Sequence, residues 1–283
     1  MEYLFKRFDN IKQFNTYLKN GKTQKAFAKY ESSQTISTKK SRDAKTHDFD
    51  EADKLLMFGD VKTARGIEDS GVADVRAKIA REMPRRQTYS SVVGFAPNVP
   101  AYLTGCPNSM INQRTTIQRQ KVLNIAYSCA VSYKVKGKDI LEACSRLLSA
   151  ILKIEASGTR VNLYLCSVSD NDVLTHNATQ RAGFSIKIKS SGEKLDVLKV
   201  AYPMVHPSMN RRHKFRFLEV TEGISPEFAD GYGRACDPKD IKEMLEQNGV
   251  ACDIALNYYE IAYRSIDGIV KDMQATMTNK KRR

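Results

Sequence analysis

No two cysteines in this chain stand in a Cys-x-x-Cys pair, and no apolar run approaches the length of a membrane span. The first absence argues against zinc ribbons and dithiol redox motifs. The six cysteines, with Cys144 and Cys166 set inside apolar patterns, read as reduced and mostly buried thiols of a reducing compartment. The second absence leaves no spanning helix to predict. Residues Met1 to Asn10 already carry charges and lack an apolar signal core, which predicts a cytoplasmic protein with no membrane association. Also missing are Gly-x-x-x-x-Gly-Lys and Gly-x-Gly-x-x-Gly, the loops that cradle phosphates, and the Gly-x-Ser-x-Gly elbow of serine hydrolases. The expectation is therefore a non-enzymatic chain with no cofactor.

What is abundant is positive charge. Lysine and arginine number 46 against 32 acidic residues, a net charge of +14 over 283 residues. A surface so far from neutral attracts polyanions, and nucleic acid is the commonest of these in a cytoplasm. The bland alternative is that excess lysine only maintains solubility. Hydrophobic residues at 41% and charged residues at 28% suit a folded protein with a wet surface. At this length the chain can bury one large core, or one core and a satellite.

The patterning divides the chain into three. Residues 1–84 read as an N-terminal helical extension with a polar arm. Helices are expected over Asp9 to Asn20, Phe49 to Phe58 and Val72 to Met83, around a Ser/Thr/Lys-rich stretch at 30–46. Residues 85–120 hold Pro97, Pro100 and Pro107 among Phe95, Val99, Tyr102 and Leu103, which suggests an extended segment packed on the core. Residues 121–283 alternate strand and helix. Strands are expected at Val122 to Ser128, Arg160 to Val168, Ala182 to Lys189 (at an edge, given its lysines), Lys214 to Val220 and Val250 to Leu256. Helices are expected at Asp139 to Ser157, Glu193 to Val205, Asp237 to Asn248 and Ser265 to Met277. The fold class is α/β, three layers around a mostly parallel sheet, with a C-terminal helix.

The order of strand 122–128, helix, strand 160–168, strand 182–189, helix and strand 214–220 is similar to the von Willebrand A type of domain. In that family an Asp-x-Ser-x-Ser motif after the first strand helps hold a metal. The matching positions here are Ala126, Ser128 and Ala130, so the resemblance implies an A-like core without its metal site. The stretches FDEADKLLMFGD (49–60), VGFAPNVPAYLTGCPNSM (93–110), ILKIEASGTRVNLYL (151–165), VAYPMVHPSMNRRHKFRFLE (200–219) and GYGR (231–234) resemble an uncharacterised bacteriophage-encoded family. That resemblance implies a phage origin, in the host cytoplasm or the virion, and carries no activity.

The densest local feature is MVHPSMNRRHKFRF. Arg211, Arg212 and Lys214 are the candidates for phosphate contact there, because guanidinium forks match phosphate oxygens. Phe215 and Phe217 are expected to face the core by strand alternation, and Arg216 to face water. Further cations that would contribute non-specific attraction are Lys39, Lys40, Arg85, Arg86, Lys280, Lys281 and Arg282. His206 and His213 lack the spacing and third ligand of a metal site. Asp170, Asp172 and Glu219, with Ser128 and Ser132 near, form the remote alternative of a metal-dependent hydrolase at the carboxyl edge of the sheet. The rival to nucleic-acid binding is a protein–protein scaffold or virion component.

Overall fold

A computed structural model describes residues 2–28, 44–82, 88–113, 121–132, 135–171, 178–229, 232 and 234–280. The chain opens with strand β1 (Glu2–Phe8) and helix α1 (Ile11–Asn20), then α2 (Phe49–Phe58), α3 (Val61–Ile67) and α4 (Ala73–Glu82). A small antiparallel unit follows: β2 (Thr88–Ser91), β3 (Ala96–Pro97), α5 (Val99–Leu103) and β4 (Met110–Gln113). The main sheet is built from β5 (Lys121–Ser128), α6 (Gly137–Ala156), β6 (Thr159–Asp170) and β7 (Gln180–Lys189). After it come α7 (Val197–Val205), a π-helical turn at Met209–Lys214, α8 (Phe215–Val220), β8 (Arg234–Ala235), α9 (Pro238–Gln247), β9 (Ile254–Leu256), α10 (Tyr258–Ala262) and α11 (Ile266–Lys280).

The sheet runs β1-β7-β6-β5-β9, with β8 on β6 past the end of β5. Strands β5, β6 and β9 are mutually parallel, β1 is parallel to β7, and β7 meets β6 antiparallel. Helix α6 makes the crossover that a parallel β5–β6 pair requires. Its Ile140, Leu147, Leu148, Ile151 and Ile154 recur at helical spacing and are buried on the sheet face that presents Leu123, Ile125 and Tyr127. Each such side chain contributes about 1.5–3 kcal/mol of burial. The opposite face, Ala126, Tyr164, Cys166 and Val168, is covered by Ile241, Met244 and Leu245 of α9. Helices thus flank a mostly parallel sheet on both sides, as the patterning predicts.

Three expectations are corrected. Strand β7 lies inside the sheet, because β1 pairs along its outer side from Glu2↔Gln180 to Phe8↔Ile186. Its lysines have partners within: Lys189 is buried on Glu155 at 2.6 Å, and Lys187 sits over the Tyr164 ring at 5.5 Å. Second, residues 215–220 are helical, not a strand. Every side chain of α8 is buried, Arg216 included, so the Phe215/Phe217 alternation carried no information about period. Arg216 donates to the carbonyls of Leu18 and Gly21 and to Thr23 Oγ1 instead of facing water. Third, the N-terminal helices share the main core: the Phe14 ring lies tilted against Phe184 with centroids 4.8 Å apart, and Phe184 in turn meets Phe217 at 4.9 Å.

Residues 88–113 form a three-stranded wing in the order β2-β4-β3. Gly94 permits its tight return, since a Cβ there would stand 2.1 Å from the Ile111 carbonyl oxygen. Instead of lying packed on the core, Val92, Val93, Phe95, Val99, Tyr102 and Leu103 are all exposed.

Within the core, His213 is wholly buried, its Nδ1 3.2 Å from the Tyr202 hydroxyl, and burial lowers its pKa from 6.5 to about 4. As pH falls, the unfolded imidazole takes up its proton first, so stability present above about pH 6.5 is lost between there and about pH 4. The loss should approach about 3 kcal/mol. Urea titrations at stepped pH should show it, and His213→Asn should flatten the slope in that window.

A cationic cleft at the carboxyl end of β5

Past Ser128 the chain leaves the sheet, and a cleft of about 1160 Å³ opens there. Its walls come from five places. The β5 end supplies Cys129, Val131 and Ser132, and the start of α6 supplies Lys136, Gly137, Lys138, Ile140 and Leu141. Helices α2 and α3 give Glu51, Leu55, Lys62, Thr63 and Gly66, with Asp60 between them. The end of α7 and the π turn give Met204, Val205, His206, Asn210 and Arg211, and Lys45 closes the rim. The carboxyl edge of a parallel sheet is where loops leave room for ligands.

Charge in the cleft is one-sided. Lys45, Lys62, Lys136, Lys138 and Arg211 face two carboxylates, Glu51 and Asp60. Both acids have local duties. Asp60 caps α3, accepting from the Thr63 amide at 3.0 Å and from the Thr63 hydroxyl, and Glu51 accepts from the His47 amide. Helix α6 starts at the cleft with no side-chain cap on its first amides. A twenty-residue helix pointing its amino end at a cationic pocket adds positive potential to it.

The arginine pair divides in function. Arg211 reaches the cleft wall, its guanidinium 5.7 Å over the Phe215 ring, and Phe215 is itself stacked on Tyr232 at 3.8 Å. Arg212 points the other way and has no exposed surface. Its Nε donates to Thr46 Oγ1 at 2.8 Å, and its Nη2 to the carbonyls of Thr46 and His47 at 3.1 and 3.2 Å. Ser208 completes the clamp, donating to the Ala44 carbonyl at 2.6 Å and meeting Thr46 Oγ1 at 2.7 Å. The clamped segment carries Lys45 in a left-handed conformation, φ 64°, on the cleft rim. Arg212 is thus a positioning residue where a direct phosphate ligand was expected.

Lys214 is also inside: burial lowers its pKa to about 8, and it cannot meet a ligand at the surface. Lys39, Lys40, Arg85, Arg86, Lys281 and Arg282 lie outside the described residues, as does the side chain of Lys280. The cleft lysines 45, 62, 136 and 138 escaped sequence reading because they come from three separate stretches of the chain. Only the helix start after Ser132 and the Lys-Gly-Lys at 136–138 could have signalled them.

The acidic alternative is not assembled. Asp170 is held by Arg181, Oδ1 at 2.6 Å and Oδ2 at 3.1 Å, and Arg181 also pairs with Asp240 at 3.2 Å. Glu219 is buried elsewhere on α8, accepting from the Tyr232 hydroxyl at 2.8 Å, and Asp172 is outside the described residues. Ser128 accepts from the Ala130 amide, and His206 stacks on Tyr202 at 4.9 Å. No group of three His, Cys, Asp or Glu able to hold a metal occurs among the described residues. Cys129, on the cleft floor, is a poor nucleophile, since burial raises its pKa to about 11.

The family model described as a domain of unknown function, DUF7192, matches residues 2–276. The chain belongs to this family. No curated protein and no solved structure matches it. The DUF7192 match runs from β1 into α11, so the cleft, the wing and both helical layers fall within it. No helix among the described residues is long and apolar enough to cross a membrane.

Two substitutions separate the arginines. Arg212→Met should cost about 3 kcal/mol in urea denaturation, because it strands the Thr46 and His47 acceptors, and should cost more than Arg211→Gln. Equal stabilities would refute the clamp. A thiol reagent should label Cys106 rapidly in the native chain and the other five only on unfolding, since those five are buried. Counting thiols with and without denaturant measures this.

Proposed function

We propose that this chain binds nucleic acid through phosphate contacts in the cationic cleft, with little base specificity and without catalysing a reaction. The carrying observation is the gathering of Lys45, Lys62, Lys136, Lys138 and Arg211 around one cavity whose two carboxylates are engaged locally. A surplus of +14 spread evenly would raise solubility alone; convergence on a cavity makes a site. Arg211 supplies the fork for bidentate oxygen contact, and the four lysines supply point charges. The cations outnumber the neutral polar side chains Thr63, Ser132 and Asn210 among the cleft's lining, which favours backbone recognition over base reading. The same proposal takes in a bacteriophage origin and a degenerate A-like core. Its support is the succession of β5, α6, β6 and antiparallel β7, with Ala126, Ser128 and Ala130 at the metal-motif positions.

Titration of random-sequence DNA and RNA oligomers at two salt concentrations tests the reading. Affinity should fall steeply with salt. The combined variant Lys136→Gln, Lys138→Gln, Arg211→Gln should bind at least tenfold more weakly and lower the logarithmic salt slope by about 2–3. Salt-independent affinity, or a variant that binds like the parent, would overturn phosphate-led binding at this cleft.

A further inference from the structure

The wing carries an anomaly that the cleft does not explain. Residues 88–113 contain no Asp, Glu, Lys, Arg or His, in a chain that is 28% charged. Within that neutral stretch the apolar side chains point outward: Phe95 is 65% exposed, Tyr102 69%, Val93 73% and Leu103 78%. Val99, Tyr102 and Leu103 stand at i, i+3 and i+4 of α5, so they share one face of that short helix. The wing is held by its own pairing, β2 and β3 on either side of β4, and its polar groups are satisfied locally. Asn98 caps α5, the Phe95 amide donates to the Ile111 carbonyl, and Asn112 donates to the Val93 carbonyl. The fold of the wing therefore does not need its apolar tip, and monomeric proteins seldom expose such a patch without a partner.

Charge selects the partner. The sequence sets Arg85 and Arg86 just before the neutral stretch and Arg114 just after it, Lys121 opens β5, and the whole chain is at +14. A neutral apolar tip on a cationic body complements a surface that is anionic outside and apolar beneath. Anionic lipid headgroups over acyl chains have that layering. A second copy of the chain would bring another +14 against the first. We propose that the tip formed by Val93, Phe95, Val99, Tyr102 and Leu103 inserts into the surface of a bilayer containing anionic phospholipid. Tyrosine suits the headgroup level, with its ring in the apolar layer and its hydroxyl in water. This is peripheral insertion to a depth of about 5–10 Å, not spanning, and it departs from the expectation of no membrane association drawn from the sequence. It is independent of the phosphate cleft.

Cys106 makes the test direct, because it lies on the wing and is the one exposed cysteine of the six. An environment-sensitive fluorophore on Cys106 should shift to the blue when phosphatidylcholine vesicles containing phosphatidylglycerol are added, and not with phosphatidylcholine alone. The pair Phe95→Ser and Leu103→Ser, both at exposed positions, should leave the circular dichroism spectrum unchanged and weaken partitioning at least tenfold. Co-sedimentation with no spectral shift, or with no loss in the double variant, would mean adsorption by charge alone and overturn the proposal. A shift that tracks protein concentration without vesicles would assign the tip to self-association and overturn it likewise. Loss of oligonucleotide binding in the cleft variant would leave all these readings unchanged.

Discussion

Much of this architecture depends on a buried guanidinium. Arg212 lies inside the protein with no exposed surface, and its bonds to Thr46 and His47 fasten a remote segment of chain to the π turn. A charge in the interior needs hydrogen-bond partners, and the Thr46 hydroxyl with the carbonyls of Thr46 and His47 supplies them here. The geometry has two results. The segment 44–47 becomes a wall, which fixes Lys45 and leads into α2 through the Asp48 cap. The neighbouring Arg211, one residue earlier on the wide turn, is left to face the cleft. A single pair of adjacent arginines thus divides into a framework bond and a ligand-facing group.

The same segment shows how far the sequence can be read. The central unit of β5, α6 and β6 was legible, because α6 repeats apolar residues at helical spacing from Ile140 to Ile154 and the apolar runs on either side of it are too short for helices. The helix opened by Pro238 was legible from turn chemistry. Reading failed where burial was total. In α8 all six side chains are inside, so helix and strand patterns fit equally well, and Phe215 and Phe217 pointed to the wrong one. It failed again at β1, where Lys6 and Arg7 obscured a strand whose partner lies far along the chain. The site was half legible. The RRHK run drew notice to the right turn, yet charge in a sequence does not reveal direction, and Arg212 and Lys214 turned inward. The lysines that do gather come from the segment before α2, from α3 and from the start of α6, and the fold brings these three together.

A second polar chain lies at one end of the sheet. Asn124 receives the Asn162 amide at 2.9 Å and donates to Asp253 at 3.0 Å, and Asn162 Oδ1 accepts from the Ser191 amide at 2.8 Å. That chain of contacts ties β5, β6 and the loops after β7 and before β9 at the end of the sheet opposite the cleft. One end is tied together by these hydrogen bonds. The other end, where Ser128 exits, is left wide.

The pairing of β1 with β7 has a consequence for how the molecule is made. Strand β1 is synthesised well before its partner at 180–189. Until then Phe8, Phe14 and Leu18 have no Phe184 or Phe217 to cover them, and the nascent chain must carry that greasy segment unshielded. Closure of the sheet is therefore a late event in biogenesis, and Lys6 and Arg7, which disguise β1 in the sequence, are well placed to keep it from clumping during the wait.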